Sequence, residues 1–358
     1  MGDVMTANNL KISTIFYATA FSILLGYILL IGASTLIPIV WAVISVYILN
    51  RAETTLFQLF RNVPVLQSCP LWLRRAFVLV GFIWIVSVLV SITIANFNAI
   101  QMNIEGYQKN LENMVQSLAV TLGFENVPTW EALLENTVGQ VDLNATLLSL
   151  VNSLASTGGQ VFLIAIYAVF LLGESDTLRR KTQIAFGHDA EKSLELFDHV
   201  NRRIGDYLTI KTLINVILGV ISFVIMFAFG VDYAIFWAIA IGLLNYIPYV
   251  GSLLGVVFPV ALSLAQFGNI TLSIALAVLL TSAQMFVGNV LEPKMIGKSV
   301  NLSGFVVLIA LVVWSALWGI NGAILAVPLT SMIMIILAGI PDTRFIAVYL
   351  SNDGDVSH

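Results

Sequence analysis

Apolar residues in this chain come in long uninterrupted runs rather than at alternating positions. No Asp, Glu, Lys or Arg occurs in residues 12–50, 76–104, 143–173 or 299–341, and residues 212–291 hold a single charge, Asp232. A helix that crosses the hydrocarbon core needs roughly 20 apolar residues, because the core is ~30 Å thick and a helix rises ~1.5 Å per residue. A membrane-spanning β-barrel would instead show short strands of alternating polarity. Runs such as Phe305-Val-Val-Leu-Ile-Ala-Leu-Val-Val-Trp314 do not alternate. The pattern predicts an all-α polytopic membrane protein with about seven to nine hydrophobic helical segments, some broken or re-entrant at Pro and Gly. It adds a helical extracytoplasmic segment.

The expected spans are 15–33 and 35–49, a first hairpin turned near Pro38, then 76–96 and 160–172. After 210–229 comes a Pro-broken region, 233–267. Residues 270–291 follow, and 305–318 with 320–340 form the last hairpin. Five regions result. Residues 1–96 hold three N-terminal spans, and 97–158 is the extracytoplasmic segment. Residues 159–209 contain the fourth span and a cytoplasmic amphipathic helix. Residues 210–344 form a membrane transport region with broken helices, and 345–358 a cytoplasmic tail. In the outer segment Leu111, Met114, Val115, Leu118 and Leu122 recur at helical spacing, and Gly158-Gly159 is expected to break the chain before the fourth span. On the inner side Asp189 is placed to N-cap a helix that turns Leu194, Phe197, Ile204 and Leu208 inward.

Composition narrows the function classes. Of 358 residues, 59% are hydrophobic and only 10% charged, against ~25% charged in an ordinary soluble domain. A net charge of −4 lacks the basic surface that nucleic-acid binding requires. The single cysteine, Cys69, excludes an internal disulfide.

Charge also sets an orientation, since Lys and Arg in short loops favour the cytoplasmic side. Arg51, Arg61, Arg74 and Arg75 follow the first two spans, and seven more basic residues lie in 174–211. Residues 97–158 hold six acids and one base, Lys109, and are expected outside. If 233–267 enters and returns to the outer side, 15 of the 16 basic residues become cytoplasmic, as do both termini. A single crossing would leave only 12 there. The hairpin is therefore the expectation.

Neither a phosphate-binding Gly-rich loop nor a nucleophile–base pair of recognisable spacing is present, so no enzyme activity, catalytic residue or cofactor is expected. His188, Glu191, Glu195 and His199 share helical spacing and form a possible zinc set, but a solvated charged face is the stronger reading. No metal site is expected.

The informative residues are helix breakers inside apolar sequence. Asn245-Tyr246-Ile-Pro248-Tyr249-Val-Gly251 interrupts the Pro-broken region. Pro248 removes a backbone donor, and carbonyls freed at membrane depth must be buried in protein or line a polar cavity. Gly251-Ser-Leu-Leu-Gly255 has the small-xxx-small spacing of close helix approach. A second break runs from Gln284 through Gly288-Asn289 to Glu292-Pro293-Lys294 and Gly297. A carboxylate at the hydrocarbon edge marks an ion or solute path unless it merely closes a salt bridge, and Lys294 is a candidate partner of Glu292. Glu292 precedes Pro293, so its backbone is expected outside the helical region. A third break, Gly319-Ile-Asn321-Gly322 with Pro328, turns the last hairpin.

Three motifs together resemble the autoinducer-2 exporter (PerM-type) family of permeases: Asn245-Tyr-Ile-Pro-Tyr-Val-Gly251, Gly288-Asn-Val-Leu-Glu-Pro-Lys-Met-Ile-Gly297 and Trp318-Gly-Ile-Asn-Gly-Ala-Ile-Leu-Ala-Val-Pro328. The layout agrees over nearly the whole chain. The resemblance implies export of a small hydrophilic molecule, foremost the quorum-sensing signal autoinducer-2. It also implies a homo-oligomeric ring, a pentamer, in a bacterial inner membrane, with a mobile transport unit in each subunit. The expected substrate-binding residues are Asn245, Tyr246, Tyr249, Gln284 and Asn289, with Glu292 for the coupling ion. Pro248, Gly251, Gly288, Pro293, Gly297, Gly319, Gly322 and Pro328 shape the breaks. The alternative is a cation–proton antiporter titrating Glu292, Asp232 or Asp206. A non-transporting membrane scaffold would leave the breaks unexplained.

Overall fold

The computed structural model describes residues 2–59, 70–122, 143–186, 190–296 and 301–356, which are almost entirely helical. The expectations placed on His188, Asp189 and Gly297 lie outside these residues. Helix α1 is Gly2–Ile31, α2 Ala33–Leu59, α3 Leu71–Met102, α4 Ile104–Leu122, α5 Leu143–Phe186 and α6 Ala190–Ala228. Then come α7 (Ala234–Leu244), α8 (Val250–Phe267) and α9 (Ile270–Phe286). A π-helical stretch, Val287–Leu291, joins α9 to α10 (Glu292–Ile296). The chain ends with α11 (Gly304–Gly339), a 3₁₀ turn and α12 (Arg344–Leu350). Six of the described helices are long and apolar enough to cross a membrane.

Two sequence expectations are corrected in the N-terminal half. The first turn lies at Gly32, and Pro38 sits inside α2. Few contacts join α1 to α2, so the two do not pack side by side as a hairpin. The turn uncovers the carbonyl of Leu29, which accepts the Trp318 indole N–H at 2.9 Å. Gly158-Gly159 does not break the chain either, because α5 runs through both glycines. Glycine in a helix costs only about 1 kcal/mol against alanine, which the rest of a 44-residue helix outweighs.

The C-terminal half folds around α6. Leu194, Ile204 and Leu208 are buried on its inner face, as expected, and it continues directly into the fifth span. Above that face Ile214, Leu218 and Met226 pack with Ile241, Leu276, Leu280 and Val287 into one core. Gly219 and Gly242 allow the contact, since a Cβ on either would meet a carbonyl of the facing helix at 3.1–3.2 Å.

Residues 233–267 form the expected hairpin. Its two ends are tied together: the Asp232 backbone N–H donates to the Gln266 side chain at 2.8 Å, and the Gln266 amide donates to the Gly230 carbonyl at 2.9 Å. Helix α4 latches this base. Tyr107 donates to Asp232 at 3.0 Å, Asn110 to the Gln266 carbonyl at 2.8 Å, and Asn103 to the Tyr233 hydroxyl at 2.7 Å. Burial, then the hydrogen bond and charge of Asp232, raise the Tyr107 phenol above the ordinary tyrosine range. The phenol therefore stays protonated and able to donate.

A second hairpin, α11, folds at Gly319, whose φ of 59° and ψ of −136° suit glycine alone. Past the turn, Gly322 packs directly on the Trp314 carbonyl, where any Cβ would collide. The Trp314 indole reaches Thr330 at 3.1 Å across the two arms. Asn321, at this tip, accepts from the Trp41 indole at 3.0 Å, and Pro328 is buried in the returning arm.

Candidate transport site

Lys211 and Glu292 bound the longest nearly uncharged run in the sequence, and the fold brings them together. Between them the chain leaves along α6, makes the α7–α8 hairpin, and returns along α9. Because the hairpin goes in and comes back, α9 ends level with Lys211. The Lys211 Nζ lies 2.7 Å from Glu292 Oε1. Lys211, not Lys294, is thus the partner, and Lys294 is exposed.

Around this pair lies a cavity of about 850 Å³, within the range of small-molecule sites. Asn245, Pro248, Tyr249, Gln284, Gly288, Asn289, Glu292 and Pro293 all line it. The structure thus gathers eight of the expected residues in one place. Sequence reasoning missed Tyr207, Lys211, Ser252 and Thr281, which also line it.

The hairpin tip forms one wall, and its backbone is unusual. Tyr249 has φ 61° and ψ −52°, and the Val250 N–H donates to the Pro248 carbonyl at 2.6 Å. This is a γ-turn of the rare, strained kind, a conformation that clusters at functional sites. Two contacts with α6 hold the tip. Asn245 donates to Asn215 Oδ1 at 2.8 Å, and the Tyr246 and Thr212 hydroxyls share a hydrogen bond of 2.7 Å. Tyr246 is therefore a clip to α6 and stands apart from the cavity lining. Gly251 packs directly on the Leu244 carbonyl, and a Cβ on Gly255 would lie 3.0 Å from Gln284 Nε2. Both glycines of the small-xxx-small spacing serve close approach, as expected.

The opposite wall is the break in α9, which differs in kind from the expectation. Glu292 has helical φ −60° and ψ −50°, and its N–H reaches back five residues to the Val287 carbonyl. A proline ring clashes with the carbonyl four residues earlier. The wide π turn offers Pro293 an altered carbonyl register, so the helix widens instead of stopping. Such bulges are frequent at functional sites. Gly288 and Asn289 lie in this turn and are exposed.

Polar satisfaction inside the site is incomplete. Gln284 Nε2 and Asn215 Nδ2 are buried without a hydrogen-bond partner. Asn215 was missed in the sequence, although it stands one helical turn after Lys211 in otherwise apolar surroundings. Gly319, Gly322 and Pro328 shape the second hairpin, whose returning arm lends Val327 to the cavity. Among the described residues no His/Cys/Asp/Glu cluster suited to a metal ion occurs.

The two basic regions of the sequence meet on one side of the fold. Arg51 pairs with Asp206 at 3.0 Å, and Arg75 donates to the Leu172 carbonyl at 3.2 Å. The hairpin base with α4 lies at the other end of α6.

The family described as AI-2E family transporter matches residues 15–342. The chain belongs to that family. A candidate transport protein of Haemophilus influenzae is 31% identical over 299 residues, 81% of this chain and 84% of its own length. The AI-2 transport protein TqsA of Escherichia coli K12 is 26% identical over 357 residues, 98% of both chains. A candidate transport protein of Borreliella burgdorferi is 32% identical over 212 residues, with 58% of this chain spanning 59% of that protein. This AI-2E family member is a multi-pass helical membrane transporter, not an enzyme.

Proposed function

We propose that this AI-2E family transporter exports a small oxygen-rich solute, foremost autoinducer-2, through the cavity between the hairpin tip and the π turn of α9. The observation that carries this reading is the convergence of Asn245, Tyr249, Gln284 and Asn289 on one cavity between apolar helices. Each buried polar group needs a partner, and amides and phenols match hydroxyls and carbonyls of a neutral solute. The likeness to TqsA over 98% of both chains supports the choice of autoinducer-2. The Pro and Gly residues set the breaks that leave these groups uncovered.

Orientation follows the charge rule: the face with Arg51, Arg74, Arg75 and the start of α6 is cytoplasmic, together with both termini, in a bacterial inner membrane. The chain assembles as a homo-oligomeric ring, a pentamer. The long apolar α3, few of whose residues are fully buried in the single chain, supports a lipid or subunit neighbour.

The cation–proton antiport alternative finds less support. Lys211 already neutralises Glu292, Asp206 pairs with Arg51, and Asp232 accepts from Tyr107 at the hairpin base.

In proteoliposomes loaded with autoinducer-2, Asn245→Leu and Gln284→Leu should each lower efflux about tenfold, as expected for loss of a buried hydrogen bond worth about 1–1.5 kcal/mol. Both variants should reconstitute normally. Undiminished efflux in both would remove the site.

A further inference from the structure

The ion pair in the cavity is asymmetric. The Lys211 side chain is 7% exposed and that of Glu292 27%. The cation is embedded in the wall of α6, while the carboxylate stands at the edge of the π turn beside the cavity. A buried charge that loses its partner is strongly destabilised. The Lys211 ammonium therefore favours a negative neighbour, and Glu292 is the more exposed member of the pair. Glu292 can leave only if another anionic oxygen takes its place. The lining points the same way, because Gln284, which lines the cavity, has its Nε2 buried without a hydrogen-bond partner. It calls for an acceptor oxygen.

We propose that the cavity holds a second class of cargo, a small organic oxyanion of carboxylate type, which binds Lys211 by displacing Glu292 and moves together with one proton. In the resting state Lys211 and Glu292 neutralise each other. When the oxyanion arrives, its oxygen accepts from Lys211 Nζ, and the released Glu292 carboxylate takes a proton from water. One negative charge and one proton enter, so the net charge of the site is zero before and after. On the far side Glu292 loses its proton, returns to Lys211 and expels the oxyanion. The transfer is electroneutral. That suits a site crossing hydrocarbon, where an uncompensated charge is costly.

The other titratable groups facing Glu292 are few. Tyr207 lies on α6 and Tyr249 on the hairpin tip, both lining the cavity, and Tyr246 is close behind. Lys294 is on its own helix, and the α11 and Leu302 walls supply only Val307, Val327 and Leu302. Only the tyrosines could place a negative charge at Lys211, and only by losing a proton; Lys294 and the aliphatic side chains cannot supply one.

This inference adds to the proposed export reading and rests on the same cavity. Its test uses lactate as the probe and glycerol as the neutral control, with purified protein in weakly buffered detergent. Lactate should bind and take up close to one proton per chain, read by a pH dye, and glycerol should take up none. Carbodiimide labelling of Glu292, which requires the protonated carboxyl, should rise with lactate. Glu292→Gln should bind lactate about tenfold more tightly, with no proton uptake, because the competing carboxylate is gone. The double variant Lys211→Met with Glu292→Leu, which has no unpaired charge, should not bind lactate. Absence of lactate binding to the unmodified protein, equal proton uptake with glycerol, or lactate binding in the double variant would overturn the proposal. If autoinducer-2 efflux still depended on Asn245, only the oxyanion cargo would fall. Efflux indifferent to both Asn245→Leu and Gln284→Leu would remove the export reading itself.

Discussion

Lys211→Met is expected to be the most damaging single substitution in the cavity. Its ammonium sits 2.7 Å from Glu292, and nothing else positive among the lining residues can replace it. Removing one member of a buried pair costs about 3–5 kcal/mol, because the other charge stays behind uncompensated. The partial exposure of Glu292 places the loss near the lower end, about 3 kcal/mol. The purified variant should melt well below the parent in detergent and show no efflux. Adding Glu292→Leu should separate the two effects. Well-packed apolar replacements of an ion pair are often neutral or stabilising, so the double variant should regain its melting temperature while remaining inactive. A parent-like melting curve for Lys211→Met would show that the pair holds nothing in place.

Gly251→Ala should have the second largest effect. The α-carbon of Gly251 packs on the Leu244 carbonyl, the last residue of α7, so a methyl group there collides with backbone. No side-chain rotation relieves that clash. Overpacking of this sort costs about 1–3 kcal/mol, and here it falls on the strained tip that carries Pro248 and Tyr249. The tip should open away from α6, breaking the Asn245–Asn215 and Tyr246–Thr212 contacts. Efflux should fall below detection, and amide exchange at residues 245–251 should accelerate. Gly81→Ala on α3 is the control, since Gly81 does not line the cavity and a Cβ there meets nothing within 4 Å. Equal loss in both variants would mean that close approach at Gly251 is not what matters.

Much of this arrangement could be read from residue order. The uncharged runs gave the helices, and counting basic residues favoured a returning hairpin at 233–267. The Lys211–Glu292 contact requires that same path. The breakers Pro248, Gly288 and Pro293 marked the cavity walls, whereas Pro38 and Pro328 sit inside apolar helices and are not part of those walls. Three things were not legible. The partner of Glu292 lies 81 residues away, and local reasoning offered only Lys294, two residues off, as a candidate. The only hint was that Lys211 and Glu292 delimit one long run. The response of α9 to Pro293 was also hidden, since a helix can stop, kink or widen, and packing against α6 decides. Finally, Gly32 and Gly158-Gly159 show that a glycine signals a permitted turn, not a required one.

The most direct test places a reporter inside the cavity. Cys69 is the only native cysteine, so Cys69→Ser gives a clean background for Ser252→Cys, at a lining position on α8. Modification by a charged, water-soluble methanethiosulfonate should proceed readily, be slowed by autoinducer-2, and abolish efflux once complete. A thiol that stays unreactive in reconstituted protein, or full efflux after complete modification, would contradict a solute path through this cavity.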